Sequence, residues 1–523
     1  MNLQQPSTPA ASGLARRGLA WWYVPVIAIL LYVAFANSFG LYRFFDDWSF
    51  PTDAASALAS GRTWSFIRGA NGRHWAPLWN ALVIANVSLV GWESDLAIRT
   101  FTVALQCAAL LWFVALARAL KASRGATLVG LGVLGLHHVS AVTLYSFDTY
   151  SQLGADLVTW VVGGLALVAL SGEQGRARRY LSLAIGVLPV GLLMKEQALS
   201  GAAVLLLALV CRAVTGPATE RRWHLGAALL VTGGVAAFAA ARWSAGSGFE
   251  PDGAFRLCVT CAPVNMAFLF GPVVLPVRSL VVMDAWRAVP ARIGALLLVA
   301  LCASLLVIAL VAGLRRRLRA GGGTATILTT VAFFLLSGVP VVFLGRVGLL
   351  YAHTAVFWWA LLVAHATDGW LAPTRHRRRA VAVVGVVASA YLVMLGVSLR
   401  SNLESMRRTS DRAVWWLNAY ASEARRVPPG SALLVHIEQR ERNAGDYSLL
   451  RLTTPEYLVL VTPEALQHRL GPDVTVVLDW EPDEAEQEMI DATARGKVGY
   501  AIQRYGERLE LTPWRPGLSG GSP

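Results

Sequence analysis

The chemistry of this chain rests on a few charged and polar residues set among long apolar runs. Asp46 and Asp47 are adjacent, in Phe44-Phe45-Asp46-Asp47-Trp48. Neighbouring carboxylates raise one another's pKa, which suits a general base, and a pair of them also suits a divalent cation. An ordinary polar helix end, with Trp48 as an interfacial anchor, explains the same residues. Arg73 and His74 follow in Arg73-His74-Trp75-Ala76-Pro77-Leu78; His74 is a proton carrier, a phosphate contact or a satisfied interfacial histidine. Lys195 and Glu196 stand between two apolar runs with almost no loop. They read either as a local ion pair that stops two helices, or as a fixed positive charge for a phosphate beside a carboxylate for a sugar hydroxyl or a metal. Arg346 offers a guanidinium fork for phosphate, with snorkelling as the alternative use. Asp148, Tyr150, Gln152, Arg242, Tyr351 and His353 complete the polar residues near the ends of runs.

The elements that must position these groups are membrane helices. Of 523 residues, 55% are hydrophobic and 15% charged, against about 25% charged in a soluble globular protein. Apolar runs of about 20 residues separated by short Arg-rich loops exclude disorder, coiled coil and a transmembrane β-barrel. The runs lie near 19–39, 96–117, 125–145, 153–170, 180–194, 197–214, 225–243, 291–313, 323–344, 347–366 and 379–398, eleven in all. The spacing predicts an all-α polytopic membrane protein. Arg16 and Arg17 precede the first run, and Ala34-Phe35-Ala36 looks like a signal-peptidase site; the length of the segment favours an uncleaved span.

The net charge of +14 does not indicate nucleic-acid binding. Residues 1–399 carry 31 basic and 14 acidic side chains, and 400–523 carry 15 and 18. The basic excess clusters in loops. With 1–18 as a cytoplasmic tail, Arg118/Lys121/Arg124, Glu173–Arg179, Arg212–His224, Arg315–Arg319 and Arg375–Arg379 all fall inside, as the positive-inside rule requires. The parity holds only if 262–283, which contains Pro263, Pro272 and Pro276, does not cross; it is expected to be a re-entrant or surface segment shielded by protein or a wet cavity. Residues 76–91 read as an interfacial helix within a first outer loop at 41–95. The same parity gathers Asp46, Asp47, Arg73, His74, Asp148, Lys195, Glu196, Arg242, Arg346 and Tyr351 at the outer boundary. Charges at membrane depth are costly and usually functional.

Beyond the transmembrane region at 19–399, residues 400–514 form a small extracytoplasmic α/β domain, followed by a loose tail at 515–523. An amphipathic helix is expected at Asp411–Ala424 and another at Glu481–Arg495, with strands at Ala432–Ile437, Tyr457–Val461, Val474–Leu478 and Val498–Ile502. Cys107, Cys211 and Cys302 read as small core residues. Cys258 and Cys261 form a C-x-x-C without a second pair, so a disulfide fits better than zinc.

An acidic pair after the first span, His74-Trp75-Ala76-Pro77-Leu78, and Leu193-Met194-Lys195-Glu196-Gln197-Ala198 together resemble the GT-C glycosyltransferases. That group includes protein O-mannosyltransferases, aminoarabinose transferases and transmembrane mannosyltransferases with tetratricopeptide tails. Arg346 with Tyr351 is similar to the Arg-plus-Tyr turn that opens a late span in the last of these. The resemblance covers about 1–400; the α/β end of the chain departs from it and leaves the acceptor open. It implies inverting transfer of a sugar from a polyprenyl-phosphate donor to a glycan, lipid or protein acceptor at the outer face of a bacterial inner membrane, in building the cell envelope. By the match, Asp46 or Asp47 takes the acceptor proton, with Glu196 also in the catalytic set. Lys195, Arg346, His74 and Arg73 face the donor phosphate, and Asp148, Tyr351 and Arg242 face substrate. Asp47 and Glu196 are the candidate ligands for a divalent cation (Mg or Mn), which some members of the group need. A lipid-linked saccharide flippase or secondary transporter is the alternative, although such proteins place charges at the bilayer midplane and often show repeated halves, and neither pattern is seen here. A sensor or assembly factor, and a ligase for whole glycans, are further readings.

Overall fold

The computed structural model describes residues 23–36, 49–70, 74–92, 94, 96–145, 150–171, 174–246, 257–276, 293–320, 323–344, 349–372, 377–436, 464–471, 473–479, 482–505 and 508–516. Asp46, Asp47, Arg73, Asp148 and Arg346 lie outside them, as do both chain termini and the strand expected at 457–461.

Helices come first along the chain: α1 (Tyr23–Phe35), α2 (Ser49–Ala59), α3 (Thr63–Arg68), α4 (Pro77–Val90), α5 (Leu96–Ala119), α6 (Arg124–Leu136), α7 (Ser140–Tyr145) and α8 (Tyr150–Ser171). They continue with α9 (Gln174–Met194), a 3₁₀ turn at Glu196–Ala198, α10 (Leu199–Thr215), α11 (Ala218–Ser244) and α12 (Ala262–Val274). The last membrane elements are α13 (Ile293–Arg319), α14 (Thr324–Leu336), α15 (Val339–Val342), a 3₁₀ turn at Leu349–Ala352, α16 (His353–Leu371) and the start of α17 (Arg377–Ala424). Each of the eleven apolar runs contains a helix. Among the described residues, seven helical segments are long and apolar enough to cross a membrane, accompanied by shorter apolar helices such as Tyr23–Phe35 and Arg124–Leu136.

The structure adds detail to two of the apolar segments. The run near 125–145 is divided at His137-His138-Val139, between the end of α6 at Leu136 and the start of α7 at Ser140. The apolar segment at 262–283 is helical only over Ala262–Val274 within its described part, and its 13 residues extend about 20 Å, short of a hydrocarbon core of about 30 Å. Its neighbours hold it firmly. Asn265 Nδ2 donates to the carbonyls of Val342 and Leu344 at 2.9 and 2.7 Å, and Cys258 N donates to Phe343 O at 2.7 Å. At the other end His137 Nε2 donates to Val273 O at 3.0 Å and Tyr391 Oη to Val274 O at 3.2 Å. Cys258 and Cys261 are joined as a disulfide; Cys107 and Cys211 are free and half-buried.

The centre of the bundle is α8 against α16. Lipid supplies no hydrophobic drive between membrane helices, so close packing and buried hydrogen bonds must hold them. Trp160 stacks on Phe357 at 5.1 Å and 14°, and its Nε1 donates to Thr354 O at 3.0 Å. Gly163 permits this approach, since a Cβ there would stand 2.5 Å from the Trp358 ring. At the opposite end of α16, Gly369 crosses Gly313 of α13 so closely that a Cβ would collide with the Gly313 carbonyl. Arg317 and Asp368 form an ion pair beside this crossing, Asp368 Oδ1 accepts from Ser123 N at 3.0 Å, and the Arg316 guanidinium lies 3.8 Å from the Trp370 ring centre.

The last helix does not stop where the apolar run ends. α17 is continuous for 48 residues, about 72 Å, so the border placed at 400 falls inside a helix. The reason is local: past Leu399 the residues turn polar, but no Pro or Gly interrupts them before Pro428. Its far end packs into the α/β domain, which adds β1 (Ala432–His436), α18 (Glu464–Leu470), β2 (Thr475–Asp479), α19 (Pro482–Ala494), β3 (Gly499–Tyr505) and β4 (Arg508–Pro513). The strand order is β2-β1-β3-β4, with β1 parallel to both neighbours and β4 antiparallel to β3. Period-two alternation makes two faces. Leu433, Val435, Val476 and Ile502 meet Trp416, Leu417 and Tyr420 of α17, while Leu434, Val477 and Ala501 meet Ala485 and Met489 of α19. Trp92, just after α4, packs against both this core and the main one.

Candidate active site

Three helix ends bring the described candidate residues together. α9 stops at Met194, Lys195 is extended (φ −167°), and a single 3₁₀ turn carries Glu196 into α10. His74 arrives from the segment before α4. That segment is held by Trp75, whose Nε1 donates to Arg68 O at 3.0 Å and whose ring lies 5.6 Å from Phe238. Phe238 sits one turn before Arg242 in α11, so the same contact brings Arg242 towards the site.

His74 Nδ1 donates to Glu196 Oε1 at 2.6 Å, with side chains 21% and 12% exposed. Glu196 Oε2 is buried and has no hydrogen-bond partner among the described residues. The charges of Arg242 and Lys195 both act on this carboxylate, and Lys195 is only 3% exposed. A lysine so deeply buried is held there by opposite charge or by a ligand that brings it. The cluster thus contains one carboxylate oxygen held by histidine, one oxygen open to a hydroxyl or cation, and two positive charges beside it. Such a site can take an anionic group and orient a hydroxyl next to it.

Of the sequence-predicted residues, His74, Lys195, Glu196 and Arg242 are gathered here. Tyr351 lies half-buried on the Leu349–Ala352 turn. Asp46, Asp47, Arg73, Asp148 and Arg346 fall outside the described residues. For a divalent cation Glu196 offers the single open oxygen Oε2, and no group of three potential ligand side chains occurs among the described residues.

Sequence reasoning named Gln152 and His353 as polar residues near the ends of runs but missed Asp156 and the buried polar network that joins them. Asp156 and His353 are both fully buried, with His353 Nδ1 2.7 Å from Asp156 Oδ2. Asp156 Oδ1 accepts from Gln152 Nε2 at 2.9 Å and from Thr354 Oγ1 at 2.5 Å. Gln197 Nε2 donates to Thr354 Oγ1 at 3.2 Å. Since Gln197 follows Glu196 directly, the network ends in the turn that carries the site. The signal in the sequence was the i, i+4 pair Gln152 and Asp156 inside an apolar run, a placement that costs free energy unless a partner waits.

No family model and no curated protein matches this chain. Among solved structures it is similar to the crystal structure of ArnT from Cupriavidus metallidurans in the apo state: 12% of residues are identical, 92% of each chain is covered, and the TM-score is 0.49.

Proposed function

We propose that the protein is a membrane glycosyltransferase that moves a sugar from a polyprenyl-phosphate donor to an acceptor hydroxyl at the extracytoplasmic face. The observation that carries this reading is the His74–Glu196 contact, with the buried Lys195 beside it. It joins two of the motifs on which the GT-C resemblance rests, although 122 residues separate them. An integral membrane protein with an anion-seeking site at the ends of its helices suits a substrate whose phosphate rides at the bilayer surface.

In the proposed reaction the acceptor oxygen bonds to the anomeric carbon as the bond from that carbon to the phosphate oxygen breaks. The acceptor proton passes to Asp46 or Asp47, and the bonding electrons leave with the lipid phosphate, which gains one negative charge. Lys195 and Arg242 stabilise that growing charge, as preorganised cations do in a site shielded from water. Arg346 and Arg73 supply further donors to the phosphate, with Asp148 and Tyr351 on the sugar. His74 holds Glu196 by one oxygen, which leaves Oε2 for a sugar hydroxyl or for a cation shared with Asp47; such a cation would add positive charge at the leaving phosphate. Attack opposite the leaving group inverts the anomeric centre. The loops rich in Arg face the cytoplasm in this orientation, and the α/β domain faces outward.

The test is to incubate membranes containing the protein with radiolabelled polyprenyl-phosphate sugars. Label moving covalently to a membrane or soluble acceptor, and failing to move with Asp46→Asn or Asp47→Asn, is the expected result. Translocation of intact labelled donor without a covalent product would overturn the reading.

A further inference from the structure

Thr354 stands at the midpoint of the buried network. Its hydroxyl donates to Asp156 Oδ1 and accepts from Gln197 Nε2. Asp156, Gln152, Gln197, His353 and Thr354 are all fully buried. Asp156 accepts three hydrogen bonds, from Gln152, Thr354 and His353, so its carboxylate is a fixed point: moving it would strand a charge in a dry interior. The 3₁₀ turn at Glu196–Ala198 is a single turn, closed at its end by Leu199 N, which donates to the carbonyls of Glu196 and Gln197. Its backbone is held by Ala198 N to Lys195 O at 3.2 Å, and the residue before it by Lys195 N to Gly191 O at 3.0 Å. The hydrogen bond that ties the turn sideways to α16 comes from the Gln197 side chain, which reaches Thr354. The residue before Gln197 on the same turn, Glu196, reaches His74. Successive residues of a 3₁₀ turn point about 120° apart, so the anchor and the site leave one short piece of backbone in different directions.

We propose that Thr354 is a positioning residue for the Lys195–Glu196 turn, its hydroxyl linking Gln197 to the Asp156–His353 pair and so fixing where Glu196 meets His74. The link acts through the backbone of the turn and contacts no substrate. It deepens the transferase reading and rests on it for its kinetic consequence, while its structural consequence is independent of any reaction.

Two variants separate the hydroxyl from the shape of the side chain. Thr354→Val keeps the volume and removes the hydroxyl; Thr354→Ser keeps the hydroxyl. In the full-length protein in nanodiscs, Thr354→Val should lower kcat about tenfold with KM for the lipid donor unchanged, as expected when a group acts in the transition state alone, and Thr354→Ser should restore it. Hydrogen–deuterium exchange of a peptide spanning 194–199 should quicken about tenfold in Thr354→Val, the loss expected for one buried hydrogen bond, and return to wild type in Thr354→Ser. Exchange at 432–436 should not change in either. Gln197→Met breaks the same link from the other side and repeats the test if Thr354→Val fails to fold. Unchanged exchange at 194–199 in a folded Thr354→Val or Gln197→Met overturns the proposal. Quickened exchange with wild-type kcat overturns the kinetic part. Quickened exchange in Thr354→Val, when the wild-type protein itself moves no sugar, upholds the link and rejects the transferase reading instead.

Discussion

The imidazole of His74 and the carboxylate of Glu196 meet at 2.6 Å across 122 residues of chain. One residue lies before α4 and the other between α9 and α10, so this contact closes the first loop onto the middle of the bundle. A charge-assisted bond this short is about twice as strong as a neutral one, and losing either side chain removes it. His74→Gln and Glu196→Gln should each lower kcat/KM for sugar transfer about 10- to 100-fold, or roughly 1.4–2.8 kcal/mol of transition-state stabilisation. Because the two act as one unit, the double variant should be no worse than the poorer single one. Additive losses would mean that the residues serve the reaction separately.

Lys195 is buried at 3% exposure beside Glu196, and its proposed task is to meet charge that grows only as the sugar leaves. Lys195→Met preserves the length and removes the charge. Single-turnover rates should fall about 10²- to 10³-fold, the usual cost of removing one preorganised electrostatic contact, with donor affinity little altered. A loss confined to affinity would place Lys195 on the ground-state phosphate alone.

The helices of the membrane region were legible because apolar runs of spanning length have few alternatives; each run contains one. The His74 and Lys195–Glu196 motifs were legible as residue types on one face of the membrane, yet their direct contact was not, since span parity assigns a face but not which helix ends adjoin one another. Asp156 escaped because Leu153-Gly154-Ala155-Asp156-Leu157 reads as uninterrupted span, and its partner His353 lies 197 residues away. The edge strand β4 had its signal: Arg508-Leu509-Glu510-Leu511 alternates, and the strand is correspondingly exposed on alternate residues. The division of the third run at His137 was hidden for the opposite reason. Its flanks are largely apolar, and the break is held by bonds with distant elements, His137 to Val273 O and Asn402 to His138 O.

Gly369 sets the crossing of α16 and α13. A side chain there meets the Gly313 carbonyl and the Arg317 backbone nitrogen, the latter at 2.9 Å. Overpacking of this kind costs about 1–3 kcal/mol, and the neighbouring Arg317–Asp368 pair would be pushed apart as well. Gly369→Val should lower the thermal transition in detergent by several degrees. Gly385→Val, where a Cβ meets nothing within 4 Å, is the matched control and should leave it in place.

The segment around α12 is held by both a disulfide and an asparagine, and the asparagine should matter more. Cys258 and Cys261 are three residues apart; closing so small a loop restricts the unfolded chain by only about 2 kcal/mol in the loop-entropy account. Asn265 satisfies two carbonyls, those of Val342 and Leu344, and each buried group left unsatisfied costs about 1–3 kcal/mol. Thermal unfolding should therefore rank Asn265→Leu as more damaging than Cys258→Ser combined with Cys261→Ser. The reverse order would make the disulfide the principal clamp.

Trp92 gives the α/β domain a second attachment. The first is α17, which enters the domain as one unbroken helix and buries Trp416, Leu417 and Tyr420 there. A single helix fixes the direction of a domain but leaves it free to swing, because helices bend at small cost over long spans. Trp92 comes from the loop after α4, the helix that follows His74, and packs on both cores. It therefore ties the α/β domain to the stretch of chain that carries the site. Trp92→Ala should quicken hydrogen exchange in the β1 peptide 432–436 while leaving the α16 peptide 353–371 at its wild-type rate, since the bundle core does not depend on the contact. Transfer to a large acceptor should fall more than donor binding, because the domain and the first loop would no longer hold a fixed relation. If exchange at β1 is unchanged, α17 alone holds the domain and the contact at Trp92 is incidental.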